Sequence, residues 1–172
     1  SKWISNEFSR KLVHKWRAEE DAILVGKNTA KHDNPILNVR DWEGKDPLRI
    51  VIDHHLELDK NLNLFNKEIP TICYNLIESI EMGTLSFVKL KKTSFFHELL
   101  IDLHKRNIQS LIIEGGANTI QNFIDTGLWD EARVFQSTNC FGDGIQSPQL
   151  KGAEFDGKED IMGDTLTYFM KK

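Results

Sequence analysis

Phe8, Leu12 and Trp16 recur at i, i+4 and i+8, which is one apolar stripe of a helix running to about Ala18. Ser5 suits the N-cap of that helix, and Glu7 falls in its first turn, where the helix dipole favours negative charge. The pattern then changes to short continuous apolar runs. AILVG (Ala22–Gly26), LRIVID (Leu48–Asp53), TICYN (Thr71–Asn75) and LSFVKL (Leu85–Leu90) each read as a buried strand. Between the first two lies a polar stretch ending in Asp33-Asn34-Pro35, a turn signature, because proline disfavours helix in the residue before it. A helix is predicted over Ser94–Arg106, with Phe96, Leu99, Leu100 and Leu103 on one side. SLIIEGG (Ser110–Gly116) is a strand ending in two glycines. Ala117–Thr126 is a helix with Ile120, Phe123 and Ile124 inward and Gly127 as its stop. Glu131–Ser137 and Leu166–Met170 are further strands.

Strands that are apolar on both faces, alternating with helices, predict a mostly parallel central sheet covered by helices on both sides. From about Gln149 the tail reads as two strands with no helix between them, a terminal antiparallel hairpin on the sheet edge. No internal repeat or low-complexity linker divides the chain. The expectation is one α/β domain over residues 1–172.

Composition narrows the functions this domain can have. The chain holds 172 residues, with 22 Lys plus Arg against 26 Asp plus Glu, a formal net charge of −4 and a pI near 5.9. A nucleic-acid binder carries a basic excess or a basic face, and neither is present, so no nucleic-acid partner is expected. Hydrophobic residues at 40% and charged residues at 28% fit a globule with a sizeable core. No apolar run approaches the roughly 18 residues of a membrane span, and SKWISNEF does not look like a signal peptide. Cys73 and Cys140 lack metal-ligand spacing and are too few for a disulfide scaffold, which favours the cytoplasm. Ser1 is no initiator, and Trp3-Ile4 leads straight into a helix, so an upstream segment is expected.

The candidate chemistry starts where Leu111-Ile112-Ile113-Glu114 runs into Gly115-Gly116-Ala117-Asn118-Thr119 at a predicted helix start. Unpaired N–H groups and the positive end of the dipole suit a phosphate there. Paired glycines admit a close ligand approach, and the carboxyl ends of strands are where open α/β sheets bind ligands. The same turn is equally a plain steric solution, and it is not the G-x-G-x-x-G of a dinucleotide fingerprint. Glu114 emerges at that strand end, either towards a ligand or as a cap. Arg17, Arg40 and Arg49 are candidates for a phosphate clamp, since guanidinium matches phosphate oxygens two at a time; the alternative is a solvated surface residue. Asp33 is by default a turn-former. His54-His55 beside Asp53 lacks a third ligand for a metal. Trp3 either stacks on a flat ring or packs on the first helix.

Taken together, the motifs resemble one family. Ser1-x-Trp3-Ile4-Ser5, Arg17-Ala18, A-I-L-V-G, N-T-x-x-x-D-N-P-x-L-x-V-R from Asn28 to Arg40, R-I-V-I-D from Arg49 to Asp53, and I-E-G-G-A-x-T from Ile113 to Thr119 are similar to the carboxyl-terminal reductase domain of the bifunctional riboflavin-biosynthesis deaminase-reductase. The likeness runs to about Gly144. It implies a three-layer dihydrofolate-reductase-like fold and NADPH-dependent reduction of 5-amino-6-(5-phosphoribosylamino)uracil to the ribitylamino compound. A homodimer and a fused deaminase domain are implied as partners. Carried over by motif position, Ser1, Arg17, Leu37, Arg40 and Glu114 would contact substrate. Trp3, Thr29, Asp33, His54 and the stretch Gly116, Ala117, Asn118, Thr119, Ile120, Gln121 and Asn122 would line NADPH. Glu114 and Asp33 are the expected catalytic carboxylates.

Two features depart from the family pattern. Its domain normally opens with a lysine-bearing strand and an S-x-D-G turn ahead of S-x-W, and these are absent, as is the deaminase domain with its zinc ligands; zinc is therefore not expected. His54 stands where the family often has a small hydroxyl residue, and in protonated form it would pair with the NADPH 2′-phosphate. The competing functions are a dihydrofolate-reductase-like pterin reductase and a domain that binds a nucleotide without turnover.

Overall fold

The fold is taken from a computed structural model that describes residues 4–139 and 144–172. Ser1, Trp3 and Cys140 lie outside the described residues. Strand β1 (Ala22–Gly26) is buried along its whole length. It pairs in parallel with β2 (Leu48–Ile52) on one side and β6 (Leu111–Gly115) on the other. Beyond β2 come β3 (Thr71–Asn75) and β5 (Leu85–Lys89), both parallel, and then β4 (Ile80–Met82), antiparallel at the edge. The order is β4-β5-β3-β2-β1-β6.

Alternate side chains of these strands feed two cores. Leu24, Ile50, Ile72 and Tyr74 pack under Phe95, Leu99 and Leu103 of α3 (Phe95–Lys105) and Phe123 of α4 (Ala117–Asp125). Ile23, Val25, Val51 and Cys73 face the other way, against Ala30 of α2 (Lys27–Asp33), Leu37, Leu64 and Phe65. Both faces are therefore covered, which is why the strands read as unbroken apolar runs. The expected α/β architecture with helices on both faces is present.

Some elements differ from the sequence expectation. The polar stretch after β1 is α2, a helix with only Ala30 buried and Asn34 closing it in the left-handed region at φ 42°, where asparagine is tolerated. It has no apolar period to betray it. Strand β4 is exposed at all three positions. In α1 (Glu7–Glu19) the N-cap is Asn6 rather than Ser5, its Oδ1 accepting from Ser9 N at 2.9 Å. Phe8 is exposed, and α1 buries Ser9, His14, Trp16 and Arg17 instead. That helix is held by polar anchors: Ser9 Oγ donates to Asp164 Oδ2 at 2.7 Å, and Arg17 reaches Glu114 of β6.

The terminal hairpin is present as β8 (Ala153–Ile161) and β9 (Asp164–Lys171). It does not extend the edge of the parallel sheet. Strand β9 pairs with β7 (Glu131–Gln136), giving a separate antiparallel sheet of order β7-β9-β8. Helix α1 lies against both sheets, with the Trp16 ring 5.6 Å from the Phe135 ring of β7 and the Arg133 guanidinium 4.5 Å from the Trp16 centroid.

Candidate active site

The carboxyl ends of β1, β2 and β6 open into a cleft of about 480 Å³. Gly26, Lys27, Asn28, Thr29, His32 and Asp33 line it from β1 and α2; Ile52 from β2 and His54 and His55 from the turn after it; and Gly116, Ala117, Asn118, Thr119 and Asn122 from the cap and first turns of α4. Two glycines are required by space. A Cβ on Gly26 would stand 2.2 Å from Thr119 Oγ1, and one on Gly116 would stand 3.0 Å from Thr29 Oγ1. The starts of α2 and α4 are thus pressed together, and the G-G turn exists to allow it. Gly116 caps α4 without a side-chain hydrogen bond; Thr119 N–H donates to Gly116 O at 2.9 Å, and the N–H groups of Ala117 and Asn118, two residues that line the cleft, meet no capping side chain, as an anion site requires.

Glu114, two residues before Gly116 in the chain, and Arg17 are not among the residues that line this cleft; they meet each other. Arg17 Nε and Nη2 donate to the two Glu114 oxygens, each at 2.6 Å, and Nη1 donates to Asn38 O at 3.1 Å. The two side chains are 9% and 20% exposed, so this two-pronged pair is largely desolvated. Through Asn38, Arg17 also fixes the segment that carries Leu37 and Arg40. Leu37 is buried at φ 56°, and Arg40 is exposed, its backbone N–H donating to His14 Nδ1 at 3.4 Å.

Burial, and then the Arg17 charge, lower the pKa of His14. Burial, and then His55, lower that of His54, with Lys27 and Lys92 adding to the effect and Asp53 opposing it. Among the described residues no group of three His, Cys, Asp or Glu is arranged to hold a metal ion. Nor, among those residues, is any helix long and apolar enough to cross a membrane.

The chain matches the RibD C-terminal domain over residues 1–159. It belongs to that family. It is 31% identical to the riboflavin biosynthesis protein RibD of Aquifex aeolicus, over 100% of this chain and 52% of that protein. It is 34% identical to the 2,5-diamino-6-ribosylamino-4(3H)-pyrimidinone 5′-phosphate reductase of the same organism, over 88% of this chain and 71% of that one. Among solved structures, a diaminohydroxyphosphoribosylaminopyrimidine deaminase/5-amino-6-(5-phosphoribosylamino)uracil reductase from Thermotoga maritima superposes with TM-score 0.84 at 25% identity, over 100% of this chain and 51% of that one. The chain spans about half the length of the RibD relative. The fold is that of the RibD reductase domain, and the homologues are pyrimidine reductases of riboflavin biosynthesis, which are oxidoreductases.

Within this family fold, Thr29, Asp33, His54, Gly116, Ala117, Asn118, Thr119 and Asn122 all meet in the cleft. Ile120 and Gln121 do not line it; the Gln121 amide is bonded to Asp125 and to the backbone of Gln149. Ser1 and Trp3 lie outside the described residues. Arg49 is no phosphate clamp. It is wholly buried, and its guanidinium donates to Thr71 Oγ1, Asn66 Oδ1 and the carbonyls of Ile36, Asn63, Leu64 and Ile69. Lys27, His32 and Phe96 line the cleft without a motif of their own. What marks Lys27 is its place one residue past the end of a central parallel strand, the same logic that marks Gly116.

Proposed function

We propose that this chain is the reductase domain that converts 5-amino-6-(5-phosphoribosylamino)uracil to its ribitylamino product with NADPH as cofactor. The reading rests above all on one arrangement: basic side chains and a helix start with no side-chain cap in a cleft, the capping Gly116 standing two residues beyond a carboxylate clamped by arginine. The cleft suits NADPH in kind, since a Cβ at Gly26 or Gly116 would crowd the cleft-lining Thr119 or Thr29 and the uncapped N–H groups of Ala117 and Asn118 attract a pyrophosphate. When bound, NADPH supplies the hydride that reduces C1′ of the opened ribose, the substrate nitrogen taking up a proton. The chain's own residues bind and orient. Arg17 aims the Glu114 carboxylate, which accepts from substrate N–H or hydroxyl groups. Arg40, exposed and unclamped by Glu114, is free to meet the substrate phosphate. Asp33 lines the same cleft and is the second carboxylate available for handling the proton.

The reading carries a homodimer and a fused deaminase with it, and it also carries a strand ahead of Ser1. Two unpaired edges support that strand. β6 is paired only on its β1 side and β7 only on its β9 side among the described residues, while α1 lies across both. A strand between them would join the two sheets.

The test is NADPH oxidation, followed by absorbance, with three substrates in parallel: the phosphoribosylaminouracil, the corresponding diaminopyrimidinone 5′-phosphate and dihydrofolate. Turnover of the uracil compound alone is the expected result. Turnover of the diaminopyrimidinone alone would move the substrate back by one deamination. Turnover of dihydrofolate alone would overturn the reading in favour of a pterin reductase. Binding of NADPH without oxidation in a chain extended by the upstream strand would leave a nucleotide-binding domain.

A further inference from the structure

We propose that His14 and Asp41 are positioning residues of the reductase: with Arg10 and Arg17 they pin residues 38–41 along α1, and so set the place from which Arg40 meets the substrate phosphate. The proposal rests on the reductase reading and deepens it by naming what fixes the span between the phosphate end of the substrate and Glu114.

Arg10, His14 and Arg17 fall at i, i+4 and i+7 of α1, so they share one face of the helix. Each meets the segment after Leu37, in reverse chain order. Arg17 Nη1 donates to Asn38 O at 3.1 Å, His14 Nδ1 accepts from the Arg40 N–H at 3.4 Å, and Arg10 Nε lies 3.0 Å from Asp41 Oδ2. Asp46 adds a fourth anchor, its Oδ1 accepting from the Val39 N–H at 2.7 Å. Four successive residues are thus tied down in a stretch with no helix or strand of its own. Ahead of them Leu37 is buried at φ 56°. Of the four, only Arg40 is exposed, and among the described residues its guanidinium makes no hydrogen bond or ion pair.

Packing alone does not call for a histidine at position 14. The ring is wholly buried, and its Nε2 has no hydrogen-bond partner among the described residues. That nitrogen stands 3.7 Å from Asp41 Oδ2, beyond bonding reach. An apolar side chain of similar size avoids the unpaired buried donor. What the imidazole supplies is a directional acceptor. The Arg40 N–H holds the ring in the tautomer with its proton on Nε2, and the ring holds the Arg40 backbone in one place. Arg17 belongs to the same row and also grips both Glu114 oxygens, so one helix face carries the carboxylate and the phosphate arm as a unit. None of Arg10, His14 and residues 38–41 lines the cleft at Gly116. Loosening the arm therefore acts on the substrate and not on the cofactor, leaving less of the phosphate's binding energy to orient the reacting carbon.

The experiment is steady-state NADPH oxidation by the full chain with the phosphoribosylaminouracil, comparing the native protein with His14→Leu, His14→Gln, Asp41→Ala and Arg40→Ala, each first shown to be folded by urea titration. His14→Leu is expected to raise the substrate KM about fivefold and to leave the NADPH KM within about twofold. His14→Gln, whose Oε1 accepts from the same N–H, should recover most of that loss. Asp41→Ala gives up a partly exposed ion pair at little cost in stability and should raise the substrate KM about threefold, so it carries the test if His14→Leu does not fold. In an Arg40→Ala background neither variant should raise the KM further, because the arm then has no guanidinium to place. An unchanged substrate KM in the folded variants, no recovery in His14→Gln, a penalty undiminished in the Arg40→Ala background, or an equal rise for NADPH would overturn the proposal and leave the reductase reading intact. No oxidation of NADPH with the uracil substrate by the native chain would overturn both.

Discussion

Arg49 distinguishes a structural role from a ligand role more sharply than any other residue in the chain. It is a charged side chain with no exposure, in a strand otherwise composed of Leu48, Ile50, Val51 and Ile52. Burial lowers its pKa, with Glu68 and Asp46 opposing at a distance, and among the described residues no carboxylate pairs with it. Its guanidinium instead makes six contacts, four of them to carbonyl oxygens. Five N–H groups serve those six acceptors, so one is shared. Lysine has three donors, and Arg49→Lys therefore loses at least two charge-assisted bonds, each worth about 1.5 kcal/mol or more. Some of the loss is softened, because Asn63 O, Asn66 Oδ1 and Ile69 O also accept from Asn66 N, Glu68 N and Thr71 Oγ1. A destabilisation of about 3 kcal/mol is expected, read as a lower urea midpoint at unchanged m-value. Affinity for the phosphorylated substrate, measured well below the unfolding transition, should stay within about twofold, since no Arg49 donor is free for a ligand. A loss of stability under about 1 kcal/mol, or a fall in phosphate affinity with stability intact, would refute the argument.

Glu114→Gln keeps an acceptor for Arg17 but loses the charge; turnover is expected to fall about 100-fold with NADPH affinity changed by less than about twofold, and equal losses in both would show that Glu114 serves the cofactor. Gly26→Ala sets a Cβ 2.2 Å from Thr119 Oγ1 and should cost about 1–3 kcal/mol. Adding Thr119→Ala should restore most of that, and a double variant no more stable than Gly26→Ala would refute the steric account. His14 is buried with its pKa lowered, chiefly by desolvation and then by Arg17. The unfolded chain therefore binds the proton first as pH falls below about 6.5, and stability present above that value is lost down to the folded-state pKa. Urea midpoints of the native chain should drop more than those of His14→Gln between about pH 7 and about pH 5; parallel curves would show that His14 does not titrate between the two states.

What the sequence reveals follows from what each segment is buried against. β1, β2 and β3 are legible because both their faces are covered, so their burial is written as continuous apolar residues. The G-G turn is legible because Gly116 lies between a strand and a helix whose first turn must come close to Thr29. α2 is illegible for the opposite reason: it buries a single alanine and lends its polar face to the cleft, so Lys27, His32 and Asp33 look like loop. Arg49 is misread from composition, since an arginine is usually solvated; the corrective signal is its position inside an apolar run, where a charge persists only with its donors satisfied. α1 has an apolar stripe that the structure leaves partly in solvent at Phe8, and its anchoring runs through Ser9, Trp16 and Arg17. A helix packed on a purely apolar face can slide between rotamers and registers at small cost. One pinned by Ser9 to Asp164, by Trp16 to Phe135 and by Arg17 to Glu114 has its position set by directional bonds to β9, β7 and β6. The same contacts that hide α1 from a hydrophobic pattern are those that hold Glu114 at a fixed angle beside the cleft.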